Sequence, residues 1–460
     1  MTEDEMPARE KPRGRVIVVG AGFTGLTAAY RLARAGLDVT VFEQDTEVGG
    51  LAGSFEVAGQ KLEKFYHHWF NNDRHVMALV RELDAEDQVV LSPTRTGSYY
   101  ANTVFRLSQP LDVLRYRPLS LVGRLRLGFL VIQAKLVRNW RALEDETAQS
   151  WLRRMCGAEV YERVWEPLLR GKFGRYAERI SAVWMWNKLA LRGGSRGKGG
   201  EEVLAYYRGG FAALAERLSG EIRWSGGQIR LGSPVTGFEI EDGRIVGVRT
   251  AQGVERADGV ICTTPLPVYA DLVAPHVTAD HEQSLRRIDF IGNVCLTLEL
   301  DRSLSDTYWL NVTDPDFPFV GVIEHTNFQS PADYGGRHIV YLSKYVPTDS
   351  ELYGMSDDAV FEYALPYLQR MFPELERSWV LAHHTYRAAY SQPLVGLRYS
   401  ELIPEPRTPL AGLYLATMAQ IYPEDRGTNY AIRQGEEIAA MVAADLSGPL
   451  PAETGRTGSP

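Results

Sequence analysis

The sequence RVIVVGAGFTGLTAAYRLARAGLDVTVFEQDTEVGG, residues 15–50, opens with an apolar run of strand type at 16–19. Three glycines with the spacing G-x-G-x-x-G follow: Gly20, Gly22 and Gly25. Residues 24–35 then carry apolar side chains at helical spacing, and a second strand at 39–42 ends at Glu43. A strand, a glycine turn, a helix and a second strand that ends in an acid about 20 residues beyond the glycines form the dinucleotide-binding fingerprint of a parallel α/β sheet.

Each part of this fingerprint has a role in holding a nucleotide. Gly20 permits the tight turn, the missing side chain of Gly22 lets a pyrophosphate approach the backbone, and Gly25 lets the helix pack close to the strand. The helix N-terminus offers N–H groups and a positive dipole end to the phosphates. Glu43 can accept hydrogen bonds from a ribose, and its charge would repel the 2′-phosphate of NADP. The stretch therefore predicts a dinucleotide site that disfavours NADP.

The composition limits the class of protein. A chain of 460 residues with 45% hydrophobic content is long enough for two or three domains. The net charge of −8 argues against a nucleic-acid partner. The three widely spaced cysteines indicate neither a disulfide framework nor a metal site. With no secretory signal and no run of 18 apolar residues, we expect a cytoplasmic protein without a spanning helix.

A glycine doublet after the fingerprint narrows the cofactor. Gly49 and Gly50 precede Leu51, and Ser54 follows three residues later. This opening resembles the flavin amine oxidase superfamily, which includes protoporphyrinogen oxidase, phytoene desaturase and the amine oxidases. Many members carry Arg or Lys in a G-G-R-x-x-S motif, and this chain has Leu51 in its place. The resemblance implies FAD as the cofactor, bound non-covalently because no cysteine lies in a flavinylation context.

Two later segments, near 200–275 and 395–445, resemble the parts of that family that return to the cofactor. In the family, the residue matching Val235 packs near the adenine, Thr263 lies in the loop that leaves the sheet, and the C-terminal helix begins at the pyrophosphate. Together, the motif and the resemblance imply the following cofactor contacts: Gly20, Gly22, Phe23, Thr24, Gly25, Glu43, Gln44, Gly49, Gly50, Leu51, Ala52, Val235, Thr263, Met418, Thr428, Asn429 and Tyr430.

The predicted fold is α/β: a Rossmann-like FAD-binding domain with a parallel sheet, interrupted by a substrate-binding domain of mixed sheet and helices. The discontinuous FAD-binding domain is expected at 14–70, 200–275 and 395–447. The substrate-binding domain is expected at 71–199 and 276–394. Residues 1–13 and 448–460 are polar or rich in Gly, Pro, Ser and Thr, and we expect them to be disordered tails.

Paired histidines supply the candidate catalytic residues. His67 and His68 lie among aromatic residues in LEKFYHHWFNND, residues 62–73. Adjacent histidines do not easily converge on one ion, so no metal site is predicted. Two interpretations stay open: a packing segment, or a histidine facing the flavin, as the similarity of this segment to UDP-galactopyranose mutase implies. Tyr390 is a third candidate for a base.

The expected substrate contacts are Arg170, Arg192, Trp184, Tyr386 and Arg387. Arg192 begins a glycine-rich stretch with three cations, for which an anion clasp and a solvated linker are both open interpretations. Tyr386 and His384 alternate along a predicted strand and share one face, either in a substrate cavity or in a buried network. Arg170 is also expected to pair with Glu166 at helical i, i+4 spacing.

Residues 119–137 predict a basic amphipathic helix. After Pro118, five apolar residues share one helical face: Leu121, Leu125, Phe129, Ile132 and Leu136. The stretch is rich in Arg and Lys and has no acid after Asp112. Either this face packs on the protein with the charges as a solvated rim, or the helix makes peripheral contact with the inner face of a membrane.

Three functions from different classes follow from these observations. The first is a FAD-dependent oxidoreductase that removes hydride from a largely apolar small molecule such as a polyprenoid or tetrapyrrole. The aromatic residues at 165–186 and 308–328 favour such a substrate. The second is a redox-neutral flavin mutase in which Arg170, Arg192 and Arg387 hold the diphosphate of a nucleotide sugar. The third is a non-catalytic flavin-binding protein. The sequence does not indicate an oligomeric state.

Overall fold

The computed structural model describes residues 14–100, 103–106, 114, 116–191, 202–314 and 316–447. The two expected tails and Arg192 lie outside the described residues. The strands are β1 (Arg15–Val19), β2 (Asp38–Phe42), β3 (Ser54–Val57), β4 (Gln60–Glu63), β5 (Trp69–Phe70), β6 (Val89–Thr94), β7 (Thr96–Tyr100), β8 (Thr103–Arg106), β9 (Glu202–Tyr207), β10 (Gln228–Arg230), β11 (Gly237–Glu241), β12 (Arg244–Thr250), β13 (Gly253–Arg256), β14 (Gly259–Cys262), β15 (Phe290–Leu300), β16 (Trp309–Val312), β17 (Gly321–Glu324), β18 (His338–Val346), β19 (Val380–Pro393) and β20 (Leu413–Leu415).

The helices surround two larger sheets. They are α1 (Phe23–Arg34), α2 (Arg74–Glu82), α3 (Leu121–Leu136), α4 (Ala148–Val160), α5 (Glu166–Phe173), α6 (Ala182–Leu191), α7 (Gly210–Trp224), α8 (Leu266–Val273), α9 (Ala279–Leu285), α10 (Glu351–Gly354), α11 (Asp357–Met371) and α12 (Thr428–Ser447). Within the described part of the chain, none of them combines the length and apolarity that crossing a bilayer requires.

The fingerprint forms the centre of a parallel sheet. Its strand order is β10-β2-β1-β14-β20, and every neighbouring pair runs parallel. The interior of β1 is apolar without alternation, as in strands covered on both faces. The chain leaves β1 toward β2 on one side and later returns through β14 on the other. This order places the topological switch point between β1 and β14, where open α/β sheets bind ligands.

A second, mixed sheet has the order β19-β15-β18-β17-β16-β7-β8. Only the pair β16–β7 is parallel among these described strands. A hairpin turn at Asp242 and Gly243 joins β11 to β12, and both residues have positive φ, as a tight hairpin turn requires. The predicted α/β class with a mixed second sheet is confirmed. The boundaries between the two domains stay a prediction.

Glycines with positive φ shape two boundaries between elements. Gly157 has a φ of +83° within α4, and a π-helical turn at Tyr161–Trp165 separates α4 from α5. Tyr206 and Tyr207 end strand β9. The Gly209–Gly210 pair, whose φ values are +80° and +83°, then turns the chain before α7.

Helix α3 packs with the face opposite to the predicted stripe. Its buried residues are Gly123, Leu127, Leu130 and Ala134. The five apolar residues of the stripe are all more than half exposed, from Phe129 and Ile132 at 55% to Leu121 at 72%. The interpretation that this stripe packs on the protein is therefore wrong. The small residues Gly123 and Ala134 let the other face approach its neighbours.

Candidate functional site

The predicted cofactor residues meet at one edge of the parallel sheet. Gly20 follows β1, Glu43 follows β2, Thr263 follows β14, and Met418 lies three residues after β20. Because the strands are parallel, their carboxyl ends share one edge. The topology therefore gathers segments that are more than 370 residues apart in the sequence.

The three glycines of the fingerprint meet different surroundings. A Cβ on Gly20, whose φ is +105°, would lie 2.6 Å from the Thr263 hydroxyl, and one on Gly25 would lie 2.0 Å from the Gly20 carbonyl oxygen. A Cβ on Gly22 would meet no heavy atom within 4 Å. Gly22 is also the N-cap of α1 and gives that helix no side-chain cap. The helix N-terminus therefore faces an open space that suits an anionic group.

The glycine doublet forms the second wall of this space. Gly49 forms a bridge with Gly22, and its N–H donates to the Ala21 carbonyl at 2.9 Å. A Cβ on Gly50, whose φ is +59°, would lie 3.2 Å from the Gly22 Cα. Leu51 and Ala52 continue as a short 3₁₀ turn, with Leu51 half-buried. Two glycine backbones thus run side by side, and bulkier residues would separate them.

The carboxylate of Glu43 is buried and held in place by backbone groups. Oε2 accepts from the Ala21 N–H at 2.7 Å, and Oε1 accepts from the Asp45 N–H at 3.0 Å. Each oxygen keeps a second lone pair, which can accept from a ribose hydroxyl. The loop after β10 adjoins this group, because the Ser233 N–H donates to the Glu43 carbonyl at 2.8 Å. Val235 is half-buried two residues further on.

The remaining predicted cofactor residues near α1 differ in their exposure and in their contacts with the protein. Thr24 is half-buried in the first turn of α1, Gln44 is exposed beside Glu43, and the Phe23 ring packs into the core against Phe211 at 6.5 Å. Thus only the backbone of Phe23 faces the open end of the helix. Thr263 donates to the Val19 carbonyl at 2.9 Å and fixes the turn from behind.

Helix α12 returns to α1 through Gly435, whose Cβ would lie 2.6 Å from the Thr24 carbonyl oxygen. This contact fixes the direction of α12, whose first residues include half-buried Thr428 and Tyr430. Met418, in the loop before, is also half-buried.

The side chain of Asn429 departs from the predicted cofactor role. Its Oδ1 accepts from the His75 and Val76 N–H groups at 2.9 and 3.2 Å, so Asn429 caps α2. The preceding Asp73 is not available for this, because its carboxylate accepts from the Phe70 N–H. Oδ1 is thus engaged in this cap, and the cofactor role of Asn429 stays a prediction.

Tyr66 and His67 belong to a larger group of polar and ionisable side chains, which we call the interior polar cluster. Its members are Tyr66, His67, Lys172, Trp184, Lys188, Tyr345, Gln392, Asp425 and Arg426. Asp425 is its centre: it pairs with Lys188 and accepts from Trp184 Nε1 at 3.2 Å and Gln392 Nε2 at 3.1 Å. Arg426 donates to the Tyr345 hydroxyl at 3.2 Å.

The charges of the interior polar cluster are not balanced. Burial alone would raise the pKa of the Asp425 carboxyl, but Lys188, Lys172 and Arg426 outweigh it and hold that pKa well below its usual range. Burial lowers the pKa of Lys172, whose ammonium lies 4.6 Å from the centre of the Tyr345 ring. Three basic side chains therefore surround one carboxylate.

The phenol of Tyr345 responds to the same field. Burial would raise its pKa, but the charges of Lys172 and Arg426 prevail, and the pKa is lowered. The neighbouring Tyr66 has its pKa raised well above the usual value by burial. Tyr66, His67 and Lys172 keep solvent-accessible surface although burial dominates each pKa shift. These three side chains are therefore partly accessible while most of their surroundings are protein.

The two candidate histidines face different neighbours. His67 Nδ1 donates to the Phe65 carbonyl at 2.5 Å, which leaves Nε2 as the acceptor of the neutral ring. Burial lowers the pKa of His67 to about 4, with Arg426 acting in the same direction. His68 instead lies 3.0 Å from the Tyr308 hydroxyl. Only His67 faces the interior polar cluster.

The other predicted substrate residues do not converge with Trp184 in that cluster. Arg170 is 53% exposed and is bonded to Glu166 at 2.9 Å and Glu178 at 3.1 Å, which confirms the predicted pair with Glu166. Arg387 is bonded to Asp357 at 3.1 Å and to the Tyr353 carbonyl.

Strand β19 places the last two candidates against aromatic partners. The ring centre of Tyr386 lies 5.0 Å from that of Phe55, and His384 is on the same face, as predicted. The ring of Tyr390 lies 5.8 Å from Phe290, beside the register shift of this strand. A catalytic role for Tyr390 stays a prediction.

Seven residues of the cluster were not predicted as site residues: Tyr66, Lys172, Lys188, Tyr345, Gln392, Asp425 and Arg426. Alternation along β18 turns Tyr345 to the cluster and its neighbour Lys344 to the other face. Asp425 and Arg426 lie in the loop before α12. No local pattern predicts that α5, β18 and this loop meet.

Relatives in sequence are named for porphyrinogen and carotenoid chemistry. A coproporphyrinogen III oxidase of Staphylococcus aureus is 24% identical over 55% of this chain, and the match spans 61% of that protein, less than two thirds of its length. A zeta-carotene-forming phytoene desaturase of Myxococcus xanthus is 25% identical over 84% of this chain and 78% of its own length.

The fold is shared with solved structures at lower identity. Cyclohexylamine oxidase from Brevibacterium oxydans is 17% identical, with a TM-score of 0.70 over 95% of this chain and all of that one. The predicted resemblance is confirmed, because the family described as flavin containing amine oxidoreductase matches residues 23–443. The chain belongs to this flavin-containing family of oxidoreductases.

Proposed function

We propose that the flavin is FAD, held non-covalently at the carboxyl edge of the parallel sheet. The open space at Gly22 and the uncapped N-terminus of α1 suit the pyrophosphate. The two oriented oxygens of Glu43 suit the ribose. The glycine doublet and the first residues of α12 would hold the rest. Bound FAD supplies a hydride acceptor next to the substrate cavity.

The proposed reaction is dehydrogenation of a small molecule that joins an apolar body to an acidic group. The observation that carries it is the surplus of cations in the interior polar cluster, where Lys172, Lys188 and Arg426 surround Asp425 alone. An unmatched cation inside a protein is costly. A substrate carboxylate would balance the surplus, and the rings of Trp184 and Tyr66 suit an apolar body.

This charge argument separates the substrate classes suggested by the relatives. A porphyrinogen carries carboxylates on an apolar ring system, whereas a carotenoid precursor offers no anion to the cations. We therefore favour an acid-bearing tetrapyrrole or a molecule of similar chemistry. The matched part of the Staphylococcus aureus relative supports this choice through its name alone.

The protein's own groups would orient the substrate and move one proton. Arg426 and Lys172 would bind the acidic group, while Asp425 holds Lys188 in place. His67 is neutral above pH about 4 and presents Nε2 as a proton acceptor. The aromatic walls exclude water from the reacting carbon.

Anaerobic mixing tests this proposal. Coproporphyrinogen III should bleach the flavin band near ~450 nm that a bound oxidised flavin requires. Lys172→Met should raise KM about tenfold with a smaller change in kcat, since the contact is made in ground and transition states alike. Lys344→Met is the matched control, because this half-buried lysine lies on the other face of β18, and it should leave KM unchanged.

Two results would overturn the proposal. One is bleaching by phytoene at least as fast as by the acid-bearing substrate. The other is turnover of a nucleotide sugar by the reduced protein with no net electron transfer, which would establish the mutase instead. Two of the three arginines expected to bind a diphosphate, Arg170 and Arg387, are bonded to acids of the protein itself.

A further inference from the structure

Helix α3 has two apolar faces, and only one of them is used within the protein. The inner face packs toward α4 and α6. The outer face consists of large apolar residues that are each at least 55% exposed: Leu121, Val122, Leu125, Phe129, Ile132 and Leu136. Together they form a patch on the order of several hundred Å², the size that marks an interaction surface on a soluble protein.

The two faces are separated by positive charge. Around the helix, Arg124 and Lys135 flank the outer face on one side and Arg126 flanks it on the other. Arg138 and Arg141 continue the exposed basic surface beyond the helix. The sequence has no acidic residue from 113 to 143, although the whole chain carries a net charge of −8. Glu159, an acid on α4, accepts from the Ser120 N–H and hydroxyl at the start of the helix.

We propose that the outer face of α3 docks on a bilayer that contains anionic phospholipid, with the helix lying in the interfacial plane. Apolar side chains such as Phe129 and Ile132 would enter the acyl boundary while Arg126 and Lys135 bind headgroup phosphates. An exposed apolar stripe between cations is the pattern of interfacial helices. Both attractions act together, because the leaflet surface is negative.

Charge argues against a second copy of the chain as the occupant. A two-fold interface brings the same surface of two copies together. Such an interface on α3 would oppose Lys135 and Arg126 to the cations of the second copy, with no acid on the helix to separate them. A negatively charged bilayer matches the patch at both its apolar centre and its basic rim.

The surface also has a direct structural route to the interior polar cluster. Trp186 Nε1 on α6 donates to the Ala134 carbonyl of α3 at 2.8 Å. Two other residues of α6, Trp184 and Lys188, reach Asp425. A single helix therefore lies between the docking face and the candidate site. The docking proposal does not depend on the identity of the substrate.

Sedimentation with vesicles tests the docking. The purified full chain is mixed with vesicles of phosphatidylcholine, or of phosphatidylcholine with phosphatidylglycerol. We expect binding to the anionic vesicles that is at least tenfold tighter than to the neutral ones and that falls with salt. Leu125→Gln/Phe129→Gln should weaken it at least tenfold, and Lys135→Gln/Arg138→Gln should remove the preference for anionic lipid.

The matched control is Val254→Gln/Leu381→Gln, which changes two apolar side chains that are 48% and 54% exposed elsewhere. It should bind vesicles like the unchanged chain. Equal flavin content and melting temperature show that each variant is folded. The proposal is overturned if Leu125→Gln/Phe129→Gln binds vesicles normally or if the unchanged chain ignores anionic vesicles. It is also overturned if sedimentation velocity shows a dimer that this variant separates.

Discussion

Replacing Asp425 by asparagine isolates the charge at the centre of the interior polar cluster. Asn keeps the shape and an oxygen that can still accept from Trp184 Nε1 and Gln392 Nε2, now 3.2 and 3.1 Å from the carboxylate. It removes the partner of Lys188 and the only carboxylate among the described members of the cluster. The change therefore tests the ionic interaction with little change in packing.

The cost follows from how far the pair is buried. Breaking a fully buried ion pair costs roughly 3–5 kcal/mol, and an exposed pair is worth less than about 1 kcal/mol. The Asp425 side chain is 11% exposed, while Lys188 is 36% exposed. We expect Asp425→Asn to lower the free energy of unfolding by about 2 kcal/mol, between these limits. Lys188→Met should cost about 1 kcal/mol, because Lys172 and Arg426 still face the carboxylate.

Urea unfolding at pH 7, followed by tryptophan fluorescence, measures these costs from the shift of the midpoint at constant slope. Samples are matched for flavin content, since a bound ligand shifts stability. The double variant should lose about 1 kcal/mol less stability than the sum of the losses in the two single variants. Such non-additivity is the signature of a direct interaction. In addition, Asp425→Asn should tighten binding of coproporphyrin about fivefold, or ~1 kcal/mol, by removing like-charge repulsion. Additive costs together with weaker ligand binding would refute this account of the cluster.

Three further predictions address single residues. Gly22→Ala should lower the flavin content of the purified protein without lowering the melting temperature of the flavin-free form, because its Cβ enters only the open space at the end of α1. Equal flavin content in the variant and the unchanged chain would contradict the assigned pyrophosphate position. Asn429→Ala should lower the free energy of unfolding by about 1 kcal/mol through loss of the cap on α2, as measured by urea midpoint against Thr428→Ala. The pKa of His67 is lowered to about 4 in the folded protein, so as the pH falls the imidazole is protonated in the unfolded chain before it is protonated in the folded one. The free energy of unfolding should therefore drop by up to ~3 kcal/mol between pH about 6.5 and 4 and then level off. His67→Gln should remove that part of the pH dependence, and an unchanged profile would show that another group causes it.

The sequence predicts the first strand and helix of the parallel sheet well because their signals are local. The strand expected at 16–19 is Arg15–Val19, and the helix expected at 24–35 is Phe23–Arg34. Gly25 marks a position where a Cβ would collide with the Gly20 carbonyl, five residues earlier in the chain. The cap that Asn429 provides could not be predicted in this way, because its partner, the N-terminus of α2, is about 350 residues away.

The substrate side could not be predicted in the same way. Helix α3 shows the reason: its sequence is apolar on two faces, and periodicity alone does not indicate which face meets the protein. The small residues Gly123 and Ala134 were the available signal for the packed face. The interior polar cluster draws on α5, α6, β18 and the loop before α12, and only the assembled fold brings these together.

This division between local and assembled sites explains how one family serves different chemistries. The proposed cofactor edge draws on backbone groups, a few glycines and Glu43, and the fold that forms this edge is shared with a structure that is 17% identical to this chain. The cluster depends instead on long side chains from separate elements, such as Lys172 and Arg426, and exchanging one of them alters the charge offered to a substrate without disturbing the parallel sheet. A shared fold therefore does not by itself indicate a shared substrate. For this reason the proposed substrate class is based on the basic side chains around Asp425 and not on similarity to a relative named for porphyrinogens or carotenoids.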